Sequence, residues 1–367
     1  MMEISRRRFF AKAGLLIGSV TIPYMPANAL AAKSFASAFT DYKDQHYVGL
    51  FSSVGVLIQA HKVSSRGHAA TFSKDGRFVV FFARRPGSWM LVLDTQKNII
   101  ISKINESPGR HFYGHGVFNH NQSLLFTTEN DYEAARGVIG VYDVTQGFKR
   151  VREFDSHGIG PHELALLSDG ATLVVANGGI ETHPDYGRIK LNIETMSPRL
   201  TYIDSRSGKE LSHVQPPNHQ LSLRHLSVNN EDVVVVGAQF QGGTESDYPL
   251  MYSHKQGKDL VPFCGQSLLD QRRLKNYIAS VSFSSNNQHV VSSSPRGDRV
   301  TLWDVRSGCW LRDIKVPDVG GIAQAPLPNH VMLSSGSGQL YLLSLLSNEL
   351  KELTMHSHRW DNHLVAV

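Results

Sequence analysis

From about residue 45 onward the apolar positions fall in short runs, either alternating with polar residues or β-branched throughout, and each run ends in a turn signal. Almost no stretch carries a helical period, so the pattern predicts an all-β chain. One unit recurs: a strand, a polar turn, a β-branched strand, a loop, and a strand ending in Asp. The first copy runs from His68 to Phe72, through Ser73-Lys74-Asp75-Gly76, along Phe78 to Ala83, and closes at Met90 to Asp94. Further copies begin at His115, His162 and His225, then at Ala279 and Gly321. The second, third and fifth copies close at Asp143, Asp204 and Asp304.

Units of about 40 to 50 residues built from four strands are the signature of a β-propeller. The chain has 367 residues, and the part beyond its first thirty divides into about seven such units. Six are visible directly. The seventh is predicted to be shared between residues 47–62 and the C-terminal stretch Trp360 to Val367, which would close the ring and leave no long free edge. The predicted fold is a seven-bladed β-propeller closed by N- and C-terminal strands, spanning residues 45–367 after a linker at 30–44.

Residues 1–29 read as an address. Arg6-Arg7-Arg8-Phe9-Phe10 precedes a weakly apolar run interrupted by Gly14 and Gly18, then Pro23 and the small residues Ala27, Ala29 and Ala31. This is the pattern of a twin-arginine signal peptide, and the run is too short for the roughly 20 apolar residues of a membrane span. The expected destination is the periplasm. The net charge is only +5, and four of the basic residues lie in the leader, so nothing argues for nucleic acid as a partner. With only Cys264 and Cys309 present, a cysteine-rich zinc site and covalent c-type haem are excluded. Whether these two pair in an oxidising compartment is left open.

Propeller geometry converts position into place. The first strand of each blade starts at one face and descends along the central channel, and the loop between the second and third strands returns to that face. His68, His115, His162 and His225 stand at the starts of first strands, and His363 takes the same place if the C-terminus supplies the innermost strand of the closing blade. Five imidazoles would then meet at one mouth, a donor set suited to a transition metal such as Fe, Cu or Zn. Their registers disagree: His68 and His162 lie four residues before the anchors Phe72 and Leu166, whereas His115 and His225 lie three before Phe118 and Val228. Convergence therefore requires bulges. Glu129, Asp131, Arg136, Asn177, Glu181, His183 and Arg188, on or beside the loops of the same face, are candidates for binding a ligand or cofactor.

Several strings carry a resemblance. They are R-H-F-Y-G-H-G-V-F (110–118), T-E-N-D-Y-E-A-A-R-G-V-I-G-V-Y-D (128–143), S-H-G-I-G-P-H-E-L (156–164), A-N-G-G-I-E-T-H-P-D (176–185), L-N-I-E-T-M-S-P-R-L (191–200) and W-D-N-H (360–363). The chain resembles the family catalogued as domain of unknown function 1513, twin-arginine-exported proteins related to WD and YVTN repeat propellers. The resemblance implies a periplasmic propeller and, by association with imelysin-type and di-haem proteins, a role in iron or metal handling. It implies no reaction.

Three functions follow from these readings. The first is a binding module for a metal ion or small metal-containing ligand, with a periplasmic protein as possible partner. The second is a lactonase-like metal-dependent hydrolase, with His115 or His162 as general base and Glu129 or Glu163 as ligand or acid. The third is an interaction scaffold without chemistry. G-x-S-x-G and H-E-x-x-H are both absent, which weighs against hydrolysis.

Overall fold

Strands such as Phe78–Ala83 and Trp89–Asp94 are almost wholly apolar because both of their faces are covered. Val79, Phe81, Leu91 and Leu93 pack against Ala38, Val48 and Leu50 of one neighbouring sheet. Val80, Phe82, Met90 and Val92 face Phe112, Phe118 and Tyr142 of the other. A sheet buried on both sides by other sheets is a propeller blade. In the computed structural model, which describes residues 35–243, 247–265 and 267–367, seven four-stranded antiparallel sheets are present among the described residues.

The seven innermost strands are Gly67–Phe72, Arg110–Phe118, Pro161–Leu166, Leu221–Val228, Ser280–Phe283, Val319–Gln324 and Arg359–Ala366. Each touches the next around the ring, and Arg359–Ala366 returns to Gly67–Phe72. The chain is therefore a seven-bladed β-propeller. The recurrent Asp is a turn device: Asp94 accepts hydrogen bonds from the backbone N–H of Lys97 at 2.9 Å, and Asp304 from that of Ser307 at 2.8 Å. Outermost strands are largely exposed instead, as in Ile99–Asn105, where only Ser102 and Ile104 are partly buried.

The closing blade is built from both ends, as the repeat predicts. Arg359–Ala366 is innermost, followed by Phe35–Thr40, His46–Phe51 and Leu57–Val63. This corrects the linker expected at 30–44, because Phe35–Thr40 is a fully buried strand between two others. Its sequence FASAFT is buried at every position, with Ser37 and Thr40 as covered as the Phe and Ala residues, so no hydrophobic–polar alternation marks it. The predicted leader, 1–29, lies outside the described residues. No helix among the described residues is long and apolar enough to cross a membrane.

Candidate functional site

Each of the five histidine-bearing inner strands breaks register at its histidine. Against its partner, the strand gains one residue between Gly67 and Ala70, between Pro161 and Glu163, and between Leu223 and His225. It gains two between Phe112 and Gly116, and between Trp360 and Leu364. These bulges supply the re-aiming that the mismatched spacings demanded. Of the two inner strands without a histidine, Ser280–Phe283 has no such break, whereas Val319–Gln324 gains one residue between Val319 and Ile322. At Gly114 the bulge requires glycine: φ is +104°, and a Cβ there would lie 2.4 Å from Cδ2 of His68.

All five rings come together. Nine of the ten ring pairs, all but His162 with His363, are in contact, with centroid separations from 4.4 Å for His68 and His363 to 6.5 Å for His68 and His225. His68, His115 and His162 each offer a nitrogen within 4.8 Å of the others, as do His115, His225 and His363, with His115 common to both trios. A tetrahedral ion bound at about 2.0–2.1 Å holds its nitrogen ligands about 3.4 Å apart. Nε2 of His162 and Nε2 of His225 are already 3.2 Å apart.

Two carboxylates stand behind the rings. Glu163 faces Nδ1 of His115 at 3.5 Å and Nδ1 of His225 at 3.1 Å, and also accepts the backbone N–H of Leu226 at 3.1 Å. Asp361 faces Nδ1 of His68 at 3.6 Å while accepting hydrogen bonds from Arg66 and from Arg84, the latter at 3.1 Å. Carboxylates in this position fix the Nδ1–H tautomer and leave Nε2 as the ligand atom. Nε2 of His115 is buried without any hydrogen-bond partner, as that assignment expects, and Nε2 of His363, Nδ1 of His68 and Nδ1 of His162 are likewise buried and unpartnered. A buried nitrogen lone pair with no donor is costly on its own and is satisfied by a cation.

The electrostatics favour neutral rings. Burial, aided by the neighbouring imidazoles and Arg84, pushes His68 down to about 3 despite Asp361, and holds His363 well below its ordinary value. Burial with His225 and Arg224 does the same to His162, and burial lowers His225 against the pull of Glu163. Burial acts to raise Glu163 and Asp361. It is outweighed at Glu163 by His115 and His225, and at Asp361 by His68 and the two arginines, so both stay ionised. His68, His162, His225 and His363 thus present neutral nitrogen donors, backed by two negative charges, which suits a transition-metal dication.

Above the rings opens a cavity of about 590 Å³ whose floor includes His68, His162 and His225. Among the predicted ligand-binding residues, Arg188 lines this cavity, and His183 lines a smaller one beside it, edge-on to Tyr132. The others are not brought there. Glu129 is sealed inside its blade, bonded to Thr127 at 2.6 Å, Tyr142 at 3.1 Å and Arg150 at 2.7 Å, so it is no ligand at the histidines. Asp131 and Arg136 pair with each other at 3.3 Å in a rim cluster with Arg110 and Glu153. Asn177 bonds Ser156 at 2.8 Å and Thr201 at 3.1 Å within its blade. Glu181 uses its backbone, whose N–H donates to Asn192 at 2.7 Å.

Sequence reasoning did not nominate Asp361, Arg224 or Arg296. The first two were signalled only by adjacency, as W-D-N-H and R-H, and their roles depend on the bulges. The WD-like pair Trp303-Asp304 is structural: the indole N–H donates to Ser292 and Thr301 at 3.1 and 2.9 Å. Cys264 and Cys309 are exposed free thiols joined by an isolated parallel β-bridge outside the strands.

Fold and site together define a β-propeller whose axial mouth carries a five-histidine cluster able to hold a metal ion. The match to known proteins agrees with the motifs: residues 61–367 fit the family model described as protein of unknown function (DUF1513), and the chain belongs to that family. No curated protein matches it.

Proposed function

We propose that this chain is an exported, periplasmic binding protein that holds a transition-metal ion, Fe, Cu or Zn, at the five-histidine mouth of its propeller. The observation that carries the reading is the placement of His68, His115, His162, His225 and His363 on five separate inner strands, each re-aimed by its own bulge. A structural histidine needs one hydrogen bond and no such coordination among blades. The carboxylates Glu163 and Asp361 behind three of the rings support the same reading. The twin-arginine leader supports export, since that route carries proteins already folded.

Binding fits better than turnover. Glu163, the acid candidate for hydrolysis, is occupied by two imidazoles and a backbone N–H, and Glu129 lies within its blade away from the cavity. Elemental analysis and an absorption spectrum of the protein purified from its native host test the reading, alongside a His115→Ala, His162→Ala, His225→Ala variant. Stoichiometric metal in the native protein and none in the variant is expected. Equal metal content in both would overturn it.

A further inference from the structure

The cavity over the histidines has a wall that the metal reading does not use. Arg85, Arg188, Lys190, Arg224 and Arg296 line it. They come from three loops, one inner strand and no single charge run, so only the closed ring assembles them. None of the five has a carboxylate within ion-pair distance among the described residues, although Arg84 beside them is matched by Asp361. Lys190 is held by the side-chain oxygen of Gln241, and Arg296 lies over the ring of Tyr277 at 4.5 Å. Arg224 is the extra residue of its bulge, next to His225, and its Nε is shut off from solvent with no hydrogen-bond partner.

Gathering unmatched cations is unfavourable, and Arg85 registers it. Burial with Arg84 and Arg188 lowers Arg85. A guanidinium stays protonated throughout the physiological range, so the charge persists and is relieved by an anion. Guanidinium groups pair with carboxylate and phosphoryl oxygens through two parallel N–H bonds. A concave site of about 590 Å³ is in the range of small-molecule pockets and too narrow for a folded partner.

We propose that this arginine wall is a binding site for a small organic or inorganic polyanion, bearing two or more carboxylate or phosphoryl groups, seated directly above the histidine floor. The inference goes beyond metal binding and needs only the cationic side chains. The ligand class is set by charge and geometry, with Arg85 and Arg224 as the deep contacts and Arg188, Lys190 and Arg296 at the rim.

The test is calorimetric titration of the metal-free protein with citrate and, separately, with inorganic pyrophosphate. At least one probe is expected to bind with one-to-one stoichiometry and to weaken as salt rises. Its Kd should rise at least tenfold in an Arg85→Gln, Arg224→Gln variant and in a rim variant, Arg188→Gln with Lys190→Gln, which leaves the buried groups intact. The preferred probe separates a carboxylate from a phosphoryl ligand. Binding of neither probe, or equal binding by native protein and both variants, overturns the inference. The His115→Ala, His162→Ala, His225→Ala variant keeps the two readings apart, because it should lose metal and keep the anion. Anion binding without metal would sink only the metal reading, and metal without anion only this one.

Discussion

Glu163→Gln removes one negative charge and leaves the side chain's shape unchanged, which makes it a sensitive probe of the histidine floor. One oxygen of Glu163 accepts from His225 and from the Leu226 N–H, and the other faces Nδ1 of His115. Glutamine can keep one of these edges as a carbonyl but must present N–H₂ at the other. The carbonyl stays with His225 and Leu226, because two donors meet it there. The amide then confronts Nδ1 of His115, whose proton shifts to Nε2, the atom needed by the ion. His115 belongs to both trios, so neither escapes the change. Substitutions behind a metal-ligating histidine typically cost 10–100-fold in affinity, or about 1 to 3 kcal/mol, and the lost charge acts in the same direction. Competition for Zn²⁺ against a chromogenic chelator measures the change, with circular dichroism as a check on folding. A folded variant whose zinc affinity equals that of the native protein would refute the claim that Glu163 orients ligands.

Other consequences follow from the same contacts. In the metal-free protein, His68, His162, His225 and His363 are held neutral by burial. The unfolded chain therefore takes up protons first, below about pH 6.5, and each imidazole lowers stability by on the order of 1 kcal/mol per pH unit between that point and its folded value. Urea midpoints should fall steeply over that window and stay level above it; midpoints flat down to about pH 4 would contradict the burial argument. Gly114→Ala places a Cβ against His68 at a left-handed φ, with an expected loss of about 1–3 kcal/mol and weakened metal binding. A denaturation curve and metal titration unchanged from native would exclude that packing. The bridge between Cys264 and Cys309 sets their backbones within the span of a disulfide. Oxidised glutathione, accepting the two electrons and two protons of the thiols, should link them and stabilise the fold by about 4 kcal/mol in the chain-entropy limit for a loop of about 45 residues. Two titratable thiols remaining after oxidation would count against it.

The ring was legible because a buried blade leaves a plain trace. Phe78–Ala83 is apolar at every position and Asp94 closes the turn after the next strand, and variants of that unit recur along the chain. The five histidines were legible as a set because they head those units. Their convergence was not, because it depends on one extra residue at His68, His162 and His225 and two at His115 and His363. Bulges are a property of the pairing between two strands, and neither strand's sequence carries it alone. The same bulge hid Arg224, which in a regular strand would face the opposite side from His225. Glu129 read as a loop acid because it lies near the end of its strand, yet the strand continues to Asp131 and the side chain turns into the blade, where Arg150 neutralises it.

Recombinant protein loaded with one equivalent of Zn²⁺ allows the central claim to be measured by X-ray absorption at the zinc edge. A first shell of nitrogen at about 2.0–2.1 Å with imidazole outer-shell scattering is predicted, falling apart in a His115→Ala, His225→Ala variant. A shell of oxygen alone, or a spectrum that those two substitutions leave unaltered, would contradict it.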